Sequence, residues 1–213
     1  MAIHIINPVK KLLIISFSDI ANDSRVLKQI YWTKDKYQLT VAGFGNINDR
    51  DIEFIQITEP QESMLKKMGR YFHMASFQFE NFYWSLPFVR EAYEKLKNKE
   101  FDVIIANELQ CLPLSVRIKK NAHILFDAHE FYLEDISSSR LKKRIYRSYA
   151  YRMLSKYLPY VELLTSPSKF INKLYEDLFD IRTDEILNIP FYHDLEPKYP
   201  SWSIMELHNQ IEI

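Results

Sequence analysis

Three short runs constrain the fold of this chain more than anything else in it: "KLLIIS" from residue 11, "DVIIA" from 102 and "HILFD" from 123. Each is almost wholly aliphatic. A strand with one wet face alternates apolar and polar residues. A run without that alternation is buried on both faces, as a strand is inside a parallel sheet with helices on either side. These three are therefore expected near the centre of such a sheet. Seven strand-like segments can be read in all, at 11–18, 38–45, 52–57, 101–108, 122–130, 161–167 and 185–191.

Helical periodicity fills the gaps. Residues 24–36 place Val26, Leu27, Ile30 and Tyr31 on one face, with Asp23 or Asn22 as N-cap. Residues 86–98 carry Pro87 in the first turn, where proline is tolerated, followed by Phe88, Val89, Ala92, Tyr93 and Leu96. Residues 140–158 repeat Leu141, Ile145, Tyr149, Met153 and Tyr157, and residues 168–179 begin at a serine. A further helix is expected near 112–119. Strand and helix in alternation predict an α/β fold with a doubly wound, mostly parallel sheet.

In such sheets ligands sit beyond the carboxyl ends of the strands. That rule selects four polar segments: Ser18–Arg25, Asn107–Gln110, Asp127–Glu130 and Ser166–Lys169. Glycine occurs three times, at Gly43, Gly45 and Gly69, so neither a dinucleotide fingerprint nor a P-loop is present. Lys plus Arg equals Asp plus Glu, 28 against 28, and no RNA-binding motif is found, so no nucleic-acid partner is expected. Cys111 is the single cysteine; it lies beside an apolar run and reads as buried rather than nucleophilic. The N-terminal segment lacks the order of a signal peptide, and no apolar run approaches the roughly 20 residues of a membrane span. A soluble, cytoplasmic protein is expected.

The order of the segments "NDSRVLKQI", "FDVIIANELQCLPLS", "ILFDAHEFYLED", "LLTSPSKFINKLYED" and "ILNIPF" resembles the N-terminal half of glycosyltransferase family 4, over roughly residues 10–192. The stretch 58–90 fits least well. The resemblance implies one Rossmann-like half of a GT-B fold. It also implies transfer of a sugar from a nucleotide-sugar donor, with retention, to a glycan or lipid-linked acceptor, plausibly in cell-surface polysaccharide assembly. The N-terminal half holds the acceptor in that family, and the C-terminal half binds the nucleotide. Residues 1–192 are thus expected to form the acceptor-side domain and 193–213 the start of a linker or tail. The donor-binding domain is expected in cis or in trans on another chain, and this chain alone is expected to be inactive. No cofactor is implied beyond the nucleotide sugar as co-substrate. Two rival readings are a non-catalytic flavodoxin-like binding module and a GT-B sugar-nucleotide epimerase relative.

The resemblance makes His129, in "DAHE", a residue facing the donor sugar, where an imidazole can orient a hydroxyl without changing charge; the other reading is a strand-end histidine satisfied by backbone. Asp127 falls on the same strand face. Glu130 is a candidate acceptor contact or a loop-holding residue, and Glu108 a cleft residue or a helix cap. Ser166, Ser168 and Lys169 are helix-capping residues or ligand contacts. Asp127 and His129 with Glu134 and Asp135 make only a weak metal pattern, and no metal site is expected. Arg25 sits in a first helical turn, where the dipole disfavours a cation. It is expected either to pair with Asp23 or to help a helix N-terminus bind an anion.

Two surfaces remain. Residues 140–156 hold seven basic residues and no acid. Arg140, Lys143, Arg144 and Arg147 share one face, which reads as a solvated helix face or as a contact with an anionic membrane. Residues 71–93 hold nine aromatics, Tyr71, Phe72, Phe77, Phe79, Phe82, Tyr83, Trp84, Phe88 and Tyr93. Most are expected in the core, with a few lining an acceptor groove.

Overall fold

The computed structural model describes residues 9–60, 77–134 and 140–189. Seven strands make one sheet: β1 Lys11–Asp19, β2 Gln38–Phe44, β3 Glu53–Gln56, β4 Val103–Asn107, β5 His123–Asp127, β6 Leu163–Ser166 and β7 Thr183–Glu185. Their order is β3-β2-β1-β4-β5-β6-β7. Every neighbouring pair is parallel. β1, β4 and β5 are contiguous in the middle, as their unbroken aliphatic runs require. The last strand lies earlier than the sequence suggested. Residues 183–185 pair with β6, 186–189 run on without regular structure, and Pro190 and Phe191 lie outside the described residues.

The described helices are α1 Ser24–Thr33, α2 Phe79–Trp84, α3 Pro87–Leu96, α4 Glu108–Ile118, α5 Arg140–Tyr157 and α6 Lys169–Phe179. Side chains alternate across β1. Leu13 and Ile15 enter a large core with Phe79, Tyr83, Leu112, Phe126, Tyr149 and Met153. Leu12 and Ile14 enter a smaller one with Val26, Ile30 and Val41. The second face is covered more thinly, by α1. Two sequence expectations fail, the first for that reason. Leu27 and Tyr31, placed on the buried stripe of α1, are 38% and 57% exposed, because one narrow line of contact suffices for a helix that covers so little sheet. Leu141, read as the first core residue of α5, is 67% exposed, since the helix packs only from Ile145 onward.

Among the aromatics at 71–93, Tyr71 and Phe72 lie outside the described residues. Phe79, Tyr83 and Phe88 are buried, and Phe77 is exposed. Tyr83 has a defined task. Its hydroxyl donates to the Gln110 carbonyl (2.8 Å) and accepts from the Leu114 amide (3.1 Å). It thus stands between an i and i+4 pair of α4 next to Pro113, where the helix ladder already lacks one donor. Among the described residues no helix is long and apolar enough to cross a membrane.

β1 and β2 approach most closely near their ends. A Cβ at Gly43 would stand 2.5 Å from the Ser16 carbonyl oxygen and 2.6 Å from Ile20. Gly43→Ala is therefore expected to cost about 1–3 kcal/mol as overpacking. Urea denaturation would read this as a lower midpoint at constant slope. An unchanged midpoint would show that β1 and β2 can part without loss.

Candidate functional site

The carboxyl ends of β1, β4, β5 and β6 converge, and three of the four polar segments picked from sequence meet there. Asp23 closes the start of α1. Its Oδ1 accepts from the Arg25 and Val26 amides, both at 3.1 Å, and its Oδ2 accepts from the Ser18 hydroxyl at 2.6 Å. Asp23 is thus spent as a cap, and the expected Arg25–Asp23 pair does not form.

Arg25 turns inward to Asp127 instead. Its Nε donates to Asp127 Oδ2 at 2.6 Å and its Nη2 to Oδ1 at 2.5 Å, a two-pronged pair with both residues buried. Nη1 donates to the Ile186 carbonyl at 3.1 Å. Asp127 also accepts from Gln29 Nε2 (2.7 Å) and from the Thr165 hydroxyl (2.8 Å). Burial alone would raise its carboxyl; the Arg25, His129 and Thr165 hydrogen bonds outweigh that and hold it below the usual carboxylate range. A guanidinium so engaged is withdrawn from the anion-binding role.

Gln29 and Thr165 were not among the sequence candidates. The available signal for Gln29 was its spacing, four residues after Arg25 and hence on the same helical face. Gln29 and Asn107 exchange amide hydrogen bonds, each at 2.9 Å, and Asn107 Nδ2 also reaches the Ile15 carbonyl at 3.3 Å. One polar network therefore ties α1 to the carboxyl ends of β1, β4, β5 and β6.

His129 lies at its outer edge. Nδ1 is 3.2 Å from Glu108 Oε1, while Nε2 is 3.4 Å from Asn107 Oδ1 and 3.7 Å from Asp127 Oδ2. Burial alone would lower its pKa. The hydrogen bonds and charges of Asp127 and Glu108 prevail and raise it from 6.5 to about 9. That balance favours the imidazolium over the neutral ring at neutral pH. Glu108 is the first residue of α4 rather than the cap of a later helix, and it stands at φ 65. A left-handed glutamate is costly, on the order of 1–3 kcal/mol, and such strain gathers at functional sites. Here it brings the carboxylate to His129.

The remaining candidates stand apart from this cluster. Ser166 is buried and donates to Asn172 Oδ1 (2.7 Å), and Ser168 caps α6 through the Phe170 amide (3.2 Å). Lys169 uses its backbone amide on Glu185 (3.0 Å). These are structural bonds of the β6–α6 turn. Glu130 is exposed, and its carbonyl accepts from the Tyr175 hydroxyl at 3.0 Å. Asp135 lies outside the described residues. Among the described residues no group of three His, Cys, Asp or Glu is placed to hold a metal ion. Cys111 is fully buried, and desolvation pushes its thiol well above the ordinary range, so it is an inert core residue.

Three concavities border these elements. One of about 430 Å³ is walled by Phe44, Phe82, Phe88, Tyr132, Tyr146 and Tyr149, with Glu108, Gln110 and Glu130 as polar members. Tyr132 is 5% exposed, and its hydroxyl has no hydrogen-bond partner among the described residues. A second, of about 480 Å³, lies on the thin face beside Arg25 and Asp127, between Trp32, Leu125 and Ile189. A third, of about 810 Å³, runs between α5 and α6; Arg140, Lys143, Arg144 and Arg147 all line it. A further hollow of about 640 Å³ lies at the opposite, amino-terminal edge of the sheet, away from this chemistry.

No protein-family model matches the chain, and no curated protein does. Solved structures do. A sucrose-phosphate synthase from Thermosynechococcus elongatus aligns with a TM-score of 0.59 at 11% identity, over 84% of this chain and 48% of its own. HepE of Anabaena, solved with UDP and glucose, gives 0.49 at 14% identity over 84% and 44%. A Glycyrrhiza uralensis UGT solved with glycyrrhetinic acid 3-O-monoglucuronide gives 0.44 at 8% over 84% and 48%. Of these three only the first exceeds 0.5, and at that identity it shows a shared fold and nothing finer. The chain spans about half the length of the structures it matches. Its seven-stranded parallel α/β sheet corresponds to one Rossmann-like half of a GT-B chain.

Proposed function

We propose that this chain is the acceptor-side half of a retaining glycosyltransferase of family 4 type. It works with a nucleotide-binding domain supplied in cis or in trans, and passes a sugar to a glycan or lipid-linked acceptor in cell-surface polysaccharide assembly. The observation that carries the reading is the aromatic cavity at the carboxyl edge of the sheet. It shares Glu108 with the His129 pair and sets Glu130 and Gln110 against aromatic walls. Aromatic walls with a few placed polar groups are what a hydroxyl-rich ring requires. The rings cover its C–H faces, and the Glu108 and Glu130 carboxylates and the Gln110 amide take its hydroxyls. Its polar members among the described residues are Glu108, Gln110 and Glu130.

Glycosyl transfer builds positive charge on the donor sugar and negative charge on the leaving phosphate. The His129 ring, paired with Glu108 of the cavity wall, offers an N–H for a sugar hydroxyl or a phosphate oxygen. Glu108 fixes its orientation.

The test uses the chain alone, in two arms. Saturation-transfer NMR with neutral oligosaccharides is expected to show weak binding that Glu130→Ala reduces. Calorimetry with nucleotide sugars is expected to show no micromolar affinity, because the reading places the nucleotide site on the other domain. Micromolar binding of a nucleotide sugar, or the absence of saturation transfer from every saccharide tried, would sink the assignment.

A further inference from the structure

The groove between α5 and α6 has a composition unlike the rest of the surface. Arg140, Lys143, Arg144 and Arg147 recur at i, i+3, i+4 and i+7 and therefore share one face of α5. All four are exposed. Among the described residues none of their side chains has an ion-pair or hydrogen-bond partner. Elsewhere on this surface lysines find carboxylates: Lys95 with Glu91, Lys99 with Glu53, Lys156 with Glu80. In the groove Glu130 and Glu134 are present as well, yet neither forms an ion pair with the four cations.

The opposite wall is apolar. Phe170, Ile171 and Leu174, from the first turns of α6, line it together with Phe131 and Leu133. Phe170 is 71% exposed, a large aromatic left in water at the mouth of a concavity. Farther along, Tyr151 stacks on Phe179, ring centroids 5.8 Å apart, where the two helices meet. Unpaired cations along one wall and an uncovered apolar strip on the other are complementary to one kind of ligand: an anionic head joined to an apolar chain. A flat membrane would meet a convex face, and these side chains line a hollow of about 810 Å³.

We propose that this groove binds a single molecule of an anionic amphiphile, its phosphate head held by Arg144, Arg147 and Lys143 and its apolar chain laid on Phe170, Ile171 and Leu174. Arginine suits a phosphate head because its planar donors meet two oxygens at once. The proposal stands without the transferase reading, since the groove is separate from the Glu108–His129 pair.

The test is calorimetry of the full chain with decyl phosphate below its micelle concentration. Inorganic phosphate serves as the head-only probe and 1-decanol as the apolar chain without the anionic head. Decyl phosphate is expected to bind at least tenfold more tightly than either. Arg144→Glu with Arg147→Glu should weaken it at least tenfold, and Phe170→Ser should weaken decyl phosphate while leaving inorganic phosphate unchanged. Circular dichroism confirms folding, and the milder pair Lys143→Gln and Arg144→Gln repeats the measurement if charge reversal perturbs it. Equal binding of inorganic phosphate would make this a plain anion site. Capture by anionic vesicles without binding of the monomeric probe would make it a membrane-facing surface. Decyl phosphate binding that neither variant alters would place the ligand elsewhere. Each of these three results overturns the proposal.

Discussion

Arg25→Met is expected to remove about 3–5 kcal/mol of stability, the usual cost of stranding one member of a buried ion pair. The guanidinium supplies two of the hydrogen bonds that Asp127 accepts, and it also holds the Ile186 carbonyl. Gln29 and Thr165 remain in the variant, but neither carries charge. The buried carboxylate is then left without its counter-ion. Asp127→Leu combined with Arg25→Met should be less destabilised than the two single changes added together, because no buried charge remains. The pH dependence gives an independent check. In the native chain the Asp127 carboxyl lies below its ordinary value. Its contribution is therefore fully present above the unfolded carboxylate pKa of about 3.9, and it is lost as pH falls through the lower folded value. In Arg25→Met the carboxyl rises instead, so the gap between the two proteins should narrow on acidification. A loss under about 1 kcal/mol at neutral pH would mean that Asp127 is not ionised in the native chain, and the network would need another account.

On the proposed function, His129→Ala in the chain joined to a donor domain is expected to lower sugar transfer by about 10²–10³-fold, the effect of deleting one preorganised donor to developing charge. The ring is aimed by Glu108 at Nδ1, and the 3.4 and 3.7 Å contacts of Nε2 with Asn107 and Asp127 are long enough for a ligand oxygen to compete for that N–H. The charge state can be read on the isolated chain. NMR of the imidazole should follow a titration near pH 9, and Glu108→Gln should shift it downward. Because the folded pKa is raised, this group's stabilisation is complete below about 6.5 and fades as pH climbs through about 9. Near-normal turnover in the folded variant would leave His129 a strut of the network rather than a donor to substrate.

Much of the fold was legible in local sequence. The unbroken aliphatic runs placed β1, β4 and β5 in the middle of the sheet, because a strand without alternation must be covered on both faces. Pro87 and Ser168 marked helix starts through backbone chemistry that depends on nearest neighbours alone. Asp23 announced a cap for the same reason. The periodicity of α1 and α5 was equally local, and it failed at Leu27, Tyr31 and Leu141, where burial depends on how much sheet a helix has to cover. The seventh strand was misplaced because three paired residues leave little pattern to read.

The candidate site divides along the same line. The carboxyl-edge rule picked the segments holding Arg25, Glu108, Asp127 and His129, since topology alone sends those turns to one side of the sheet. Who pairs with whom was beyond it. Arg25 and Asp127 are 102 residues apart, and nothing local distinguishes that partner from Asp23, two positions away. Tertiary packing settled the choice by withdrawing both groups from water. Once buried, a guanidinium must find the carboxylate that is buried with it, and Asp23, already spent on two helix amides and a serine, was no longer available. Two carboxylates on either side of one imidazole, acting against its burial, decided the charge of His129. The sequence named the ring and the edge of the sheet on which it lies, and only the assembled structure could make it a cation.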